Sequence, residues 1–491
     1  MNDTALKPDL DRAVYSSPVE SAPSAGDSPA TKIVEYGIIA LLILSPLAAA
    51  SVYDWAILAI ELAAALLAAV YVLNPRRPRP NARMAARLAW PRRLLLGLGV
   101  VLAVQVIPWP KGLAALIAPR SAALKEQFSP GFSAAGTAAL SLAPLHTLRA
   151  ALELLAYVLV GFLVVRTITH RRQIERLMAV LVAMGVFQAF YGLFELQRAH
   201  PRVLFYAKVY NLNSATGTFV NRNHFSGYLE MIIPLALGLI IARIDMLSLT
   251  GKRWPERIAQ ITGRGFSVNV LALIAVLVMS LAIVRSHSRS GVFILLFIFV
   301  LFFELTVFHF SAKRYRQDWI KTFLKAVFVL VTIAALYAGI EATMGRFAKD
   351  NLLQDGRPQY WNSGLAMVRD FPVFGTGLGT FADAYPAYGK VPLEGRLTHA
   401  HNDFLEYLSD LGLVGFAFLF GTIAFLVGDG FRTWSRRRHP QIKGLGMGGF
   451  VAVAAILIHS LTDFNLHIPA NMLLFAVVLA LTYTTAYYRK A

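Results

Sequence analysis

Apolar residues are gathered into long runs separated by short polar stretches. A helix must carry about 20 mostly apolar residues to cross a bilayer. On that measure the pattern predicts about twelve crossings, near 33–53, 56–73, 94–110, 147–167, 178–196, 225–243, 267–285, 291–309, 323–341, 411–428, 446–462 and 470–487. The polar stretches alternate in charge. "NPRRPRPNARMAARLAWPRR" (74–93) is basic with no acid, and the loops at 169–176, 243–265, 311–321 and 431–443 are also basic. Basic loops stay on the cytoplasmic side, so both termini are expected there. Trp55, Trp90, Trp109, Trp254, Trp319, Trp361 and Trp434 sit at or beyond span ends, where amphipathic rings favour the interface. The opposite face receives three long loops: 111–146, 197–224 and 342–403.

The chain thus reads as an all-α polytopic membrane protein in four parts. These are a polar, disordered cytoplasmic tail (1–31), nine spans (32–341), a large external loop domain (342–403) between spans nine and ten, and three closing spans (404–491). The external domain is rich in aromatic residues, Gly and Pro, which suggests an ordered cap. "WNSGLAMVRDF" predicts a short amphipathic helix with Leu365, Met367, Val368 and Phe371 on one side. "FGTGLGTF" reads as turn-forming glycines, because no βαβ context surrounds it.

Composition agrees. The chain is 56% hydrophobic and only 15% charged, against about 25% charged in soluble domains. The net charge of +19 then reports topology and not nucleic-acid binding. Cysteine is absent, which excludes disulfides, Cys-ligated zinc and thiol catalysis. The polar N-terminus is unlike a cleavable signal. No phosphate-binding loop is found, which argues against an ATP-driven pump.

Chemistry concentrates in "THAHNDFLEYLSDLGLVGF" (398–416). Asn402 or Asp403 can cap a helix, and Glu406 follows Asp403 by three residues as in a capping box. His401 then lies just before a helix N-terminus, whose dipole disfavours a cation, and a neutral imidazole suits a general base. A structural histidine capping the loop is the plain alternative. A metal reading has His399, His401 and Asp403 as ligands, but ligand sets need three or four convergent groups, and the H-x-H-x-D-H pattern would want a histidine where Phe404 stands. Arginines on the same face run against the positive-inside bias. Arg222 in "VNRNHF", Arg289 in "SRSG" and Arg357 in "DGRPQYW" are candidates for bidentate phosphate binding. Arg198, Arg202 and Lys208 precede Arg222 with no acid among them. "HSLTDFNLHIPANML" forms a polar hairpin, in which Asp463, Asn465, His467 and Asn471 either line the same site or satisfy helix ends. Glu61, Gln105, Glu153, Gln188, Glu195, Glu230 and Glu304 lie within spans.

These blocks resemble the O-antigen ligase and O-antigen polymerase (Wzy-type) superfamily of bacterial inner-membrane glycosyltransferases. The family motif is a His, then Asn, Ser or Gln, nine residues, Gly, two residues, and Gly, Thr or Tyr. His401, Asn402, Gly412 and Gly415 meet it. "ATGTFVNRNHFSGYLEMIIPLALG" and "SRSG" look like further family blocks, and the likeness covers roughly 215–475. The resemblance implies a GT-C-like fold and a periplasm-facing, metal-independent, inverting transferase without cofactor. It implies a glycan on undecaprenyl pyrophosphate as donor, and as acceptor a glycan on a lipid carrier or lipid A–core. His401 would be the catalytic base and Arg222, Arg289 and Arg357 the pyrophosphate ligands. Asn402, Asp403, His399, Asn223, Asp463 and His467 would support them, with no metal ligand. The bilayer and a chain-length regulator are the further candidate partners, with no nucleic acid. Polymerisation of exopolysaccharide or O-antigen repeats is the first expectation and ligation to lipid A–core the second. From a different class, a polysaccharide-lipid transporter or flippase is compatible with twelve spans and buried carboxylates, although no internal repeat is visible.

Overall fold

A computed structural model describes residues 28–78, 81–243, 264–310, 356–389 and 397–488. Among the described residues eleven helices are long and apolar enough to cross a membrane, and the chain is a multi-pass membrane protein. They are α1 (Pro29–Leu47), α2 (Asp54–Leu73), α3 (Ala89–Val106), α4 (Pro144–Thr167), α5 (Arg171–Glu195), α6 (Arg222–Arg243), α7 (Arg264–Arg285) and α8 (Arg289–Phe310), then α10 (Asp403–Ser435), α11 (Pro440–His459) and α12 (Pro469–Tyr487). The shorter α9 (Arg357–Asp370) precedes α10. Helices of sufficient length and apolarity therefore stand at eleven of the twelve expected crossings. The ninth, 323–341, and the tail residues 1–27 lie outside the described residues.

Local chemistry sets the helix starts. Ser28 caps α1, its Oγ accepting from the Thr31 N–H at 3.2 Å, with Pro29 in the first turn, where no N–H is missed. Gln173 closes the start of α5 by accepting from the Thr169 and His170 N–H groups. α6 is buried along its whole apolar window and forms the centre of the bundle. Its backbone approaches α11 so closely that a Cβ on Gly238 would lie 2.7 Å from the Gly444 carbonyl oxygen, the small-residue packing typical of membrane helices. α2 and α3 instead turn Leu58, Leu62, Leu66 and Leu96 outward, as lipid-facing helices do. Trp434 stands at the end of its span, as expected. It is fully buried, its indole N–H donating to the Lys443 carbonyl at 2.9 Å.

At one end of the bundle short elements form a second layer. The ladder β1 (Trp109–Pro110) with β2 (Thr137–Ala138) and helices over 111–117 and 119–128 come from the α3–α4 connection. A further ladder, β3 (Arg202–Val203) with β4 (Tyr206–Ala207), lies between α5 and α6. Both are antiparallel and two residues long, so the described chain is all-helical apart from these pairs. The α3–α4 connection meets the segment around α9. Arg120 pairs with Asp370 at 3.2 Å, His146 with Asp383 at 2.6 Å, and the Leu142 N–H donates to the Thr376 carbonyl. α9 forms where expected, but its buried face is Ser363, Gly364 and Met367, continued by Phe371. Leu365 points outward, so the apolar stripe is narrower than the sequence spacing indicated.

The glycines of "FGTGLGTF" make turns as expected: Gly375, Gly377 and Gly379 all have positive φ. This turn docks into a break in α10. At Gly412 (φ 64°, ψ −178°) the helix is interrupted. The Leu413 N–H donates to the Pro372 carbonyl at 2.8 Å, while the Thr376 and Gly377 N–H groups donate to the carbonyls of Ser409 and Asp410. A Cβ on Gly412 would stand 2.3 Å from the Val373 oxygen. The motif glycine is thus required twice, by backbone angle and by the crossing backbone at Val373. Gln105 of α3 locks the junction, its amide donating to the carbonyls of Phe374 and Asp410.

Candidate active site

His401 lies just ahead of α10, with φ of +51°. Few non-glycine residues occupy this left-handed region, and holding one there costs on the order of 1 kcal/mol or more. What fixes it is the cap that follows. Asn402 accepts the Leu405 N–H at 3.1 Å and opens the helix, so Asn402 and not Asp403 is the N-cap. The Asp403 N–H donates to the carbonyls of Ser460 and Asp463 in the α11–α12 hairpin. The loop before α10 and this hairpin are therefore joined through the backbone.

The junction brings His401 to Asp463. Its Nδ1 lies 3.2 Å from Asp463 Oδ1. Asp463 is fully buried and surrounded by donors: Asn223 and Arg357 meet Oδ2, and the Phe464 N–H meets Oδ1. Burial opposes its ionisation, but the imidazoles of His224 and His401 beside it hold the carboxyl well below the usual carboxylate range. Against an ionised carboxylate His401 Nδ1 must donate, which leaves Nε2 as the ring's bare acceptor. The His401 side chain is about a quarter exposed and rests edge-on against Phe464 at 4.8 Å.

A second cluster lies alongside. His399 Nδ1 is 2.8 Å from Glu406 Oε1, and Glu406 Oε2 accepts the Ala400 N–H. His467 Nδ1 is 2.6 Å from Asp403 Oδ1, and Asp403 Oδ2 accepts the Leu466 N–H. The trio of the weaker metal reading is thereby separated: His401 faces Asp463, Asp403 faces His467, and His399 faces Glu406. Glu406 also departs from the capping-box expectation. It reaches back past the cap to His399 and the Ala400 N–H. Phe464 stacks on His399 at 4.1 Å and separates the two clusters.

The three arginines each begin a helix at this end: Arg222 opens α6, Arg289 opens α8 and Arg357 opens α9. Arg357 reaches Asp463 Oδ2 at 3.5 Å. Arg222 adjoins Asn223, which donates to that same carboxylate. Ser290, next to Arg289, is hydrogen-bonded to Thr462 of the hairpin at 3.1 Å. Guanidinium groups and helix N-termini therefore lie together at this end, where anions are favoured. Arg198 is instead paired with Glu195 at 3.1 Å, and Lys208 donates to the Ser214 carbonyl. Of the hairpin residues, Asn471 ties α12 to the first turn of α6: its amide donates to the His224 carbonyl and to Asn465 Oδ1.

The sequence reasoning missed His224 and Phe464. His224 is buried on the first turn of α6, 3.7 Å from Asp463 Oδ1, and packs against Phe464 at 4.5 Å. Both stand inside stretches already conspicuous for polar residues, "NRNHF" and "TDFNLH". A histidine at the mouth of an apolar span was the available signal for the first. For the second no signal existed, because one phenylalanine among 32 gives no sign of its neighbours.

Residues 274–420 match the family model described as O-Antigen ligase (Wzy_C). The chain carries that domain, and the family implies glycosyltransferase activity. The matched stretch contains Arg289, Arg357, His401 and Gly412; Arg222 and Asp463 lie beyond its two ends. Among curated proteins the chain is similar to "Exopolysaccharide production protein ExoQ" of Rhizobium meliloti (strain 1021). The two are 24% identical over 346 residues, which is 68% of this chain and 72% of the relative.

Proposed function

We propose that the chain is a periplasm-facing, inverting glycosyltransferase of GT-C-like type that joins glycan repeats carried on undecaprenyl pyrophosphate, as an exopolysaccharide or O-antigen polymerase. The observation that carries the reading is the His401–Asp463 pair, with Nδ1 committed to the carboxylate at 3.2 Å. His401 Nε2 then removes the proton from an acceptor-sugar hydroxyl. That oxygen bonds to the donor's anomeric carbon as the bond from this carbon to the pyrophosphate oxygen breaks, and the leaving lipid pyrophosphate keeps the electron pair. Arg222, Arg289 and Arg357 neutralise the charge that develops on it, the task a metal performs in other transferases. Asp463 stabilises the imidazolium formed, as the carboxylate does in a Ser-His-Asp triad. Asn223 steadies Asp463. The lipid carrier explains a site at the end of a membrane bundle, and polymerase is placed before ligase on the likeness to an exopolysaccharide production protein.

The test uses purified full-length protein and a synthetic undecaprenyl-pyrophosphate repeat unit as sole substrate, in EDTA, beside His401→Ala. A product ladder from the wild type that the variant cannot make supports the reading. Product only after lipid A–core is added means a ligase. A silent wild type under both conditions, with lipid-linked glycan moved across proteoliposomes instead, means a transporter.

A further inference from the structure

We propose that His399 Nδ1, Glu406 Oε1 and His467 Nε2 form a binding site for one divalent transition-metal ion, with zinc as the best chemical match. The site is distinct from the reacting atoms and acts by tying the His401 loop to the hairpin that carries Asp463.

The three ligand atoms lie within 4.8 Å of one another. Two imidazoles and one carboxylate are a zinc-type donor set, with a fourth position left for water. At bond lengths near 2.0–2.1 Å, tetrahedral ligands stand about 3.3 Å apart, so modest side-chain rotation closes the site. Two of the ligands are already oriented from behind. Asp403 Oδ1 holds His467 Nδ1 at 2.6 Å, the carboxylate–histidine support typical of metal ligands. The Ala400 N–H holds Glu406 Oε2, turning Oε1 towards the two rings. The independent observation is His467 Nε2. It is buried, it has no hydrogen-bond partner, and its nearest carboxylate oxygen, Glu406 Oε1, stands 3.5 Å away. An unpaired buried ring nitrogen is costly, and a metal bond satisfies it. Charge balances as well, since the deeply buried carboxylates of Asp403 and Glu406 meet a divalent cation. Phe464 stacked on His399 and Tyr407 stacked on His467 close the site on two sides.

The placement gives the ion a purpose. His399 and Glu406 flank His401 in sequence, and His467 follows Asp463 by four residues. A bond from each loop to one ion holds the strained His401 backbone against its carboxylate. EDTA in the glycosyl-transfer assay scavenges free divalent ions and leaves a buried, slowly exchanging one in place.

The test counts metal in tag-free, full-length protein in detergent, loaded with zinc and gel-filtered. About one zinc per chain is expected in the wild type and in His401→Ala, falling at least tenfold in His467→Ala and Glu406→Gln. Cobalt loading of the wild type, which needs no variant, should give the intense visible bands of a low-coordinate site. No zinc above a blank in the wild type, or full occupancy in both ligand variants, overturns the proposal. A His401-dependent ladder from a zinc-free wild type would sink this proposal and leave the transferase reading intact. Stoichiometric zinc in a chain that makes no ladder would do the reverse.

Discussion

At the residue scale the site depends on one buried carboxylate that serves several donors. Asp463→Asn keeps the shape but removes the charge that orders His401 Nδ1. We expect kcat to fall on the order of 10²-fold or more with KM nearly unchanged, because the loss falls on the imidazolium formed during transfer. Steady-state rates with the lipid-linked repeat check this. Arg357→Lys should leave kcat/KM well below wild type, since a point charge does not replace a two-pronged donor for phosphate; titrating the donor concentration reads the effect. Lys125 gives a pH prediction away from chemistry. Burial alone pushes its ammonium down to about 8, and its Nζ donates to the Ala139 carbonyl. The unfolded chain then holds a proton between pH 8 and 10.5 that the folded chain has lost, so this group adds stability as pH rises through that window. Thermal unfolding across pH 7–10 should show the rise in the wild type and a smaller one in Lys125→Met. His401, Asn402 and the arginines stood out as candidates from residue type and position. The partner exchange was not: H-x-H-x-D sets three groups two apart in sequence, and the φ of +51° at His401 turns their side chains to three different partners.

At the scale of elements, spans were legible because each needs only length and apolarity. What spacing could not show was the interruption of α10. Phe404, Tyr407, Leu408 and Leu411 and the apolar residues from Leu413 onward follow helical spacing, yet the turn backbone of 372–377 crosses between them. Gly412 was seen only as a motif letter, and its reason is the positive φ and the contact with Val373. Gly412→Ala should therefore destabilise the protein by more than about 1 kcal/mol through strain alone. A lower melting temperature in detergent, with activity lost in parallel, is the expected reading. Gly421→Ala is the control, since a Cβ there would meet only a side-chain methyl of Leu94 at 3.9 Å and should change little. The α9 stripe failed for a related reason. Periodicity assumed a broad apolar face, but the neighbouring α10 offers a narrow one, with Leu405 against Gly364.

At the scale of the whole molecule, sidedness is the prediction to check. The starts of α6, α8, α9 and α10 and the α11–α12 hairpin share one end, and the basic stretch around Arg436 lies at the other. The chain has no cysteine of its own, so single cysteines report cleanly. With the outer membrane permeabilised, a membrane-impermeant thiol reagent should label Phe205→Cys in intact cells and Arg436→Cys only after lysis. The reverse pattern would put the site in the cytoplasm. The break in α10 has a mechanical consequence for this arrangement. Its 33 residues would measure about 50 Å as one rod, well beyond a hydrocarbon core of about 30 Å. Residues 413–435 alone come to about 34 Å, enough to cross. The first nine residues, with His401 just ahead of them, are clasped by the 372–377 backbone. Thinning or thickening of the bilayer can then tilt the lower rod about the glycine joint while the candidate site keeps its footing.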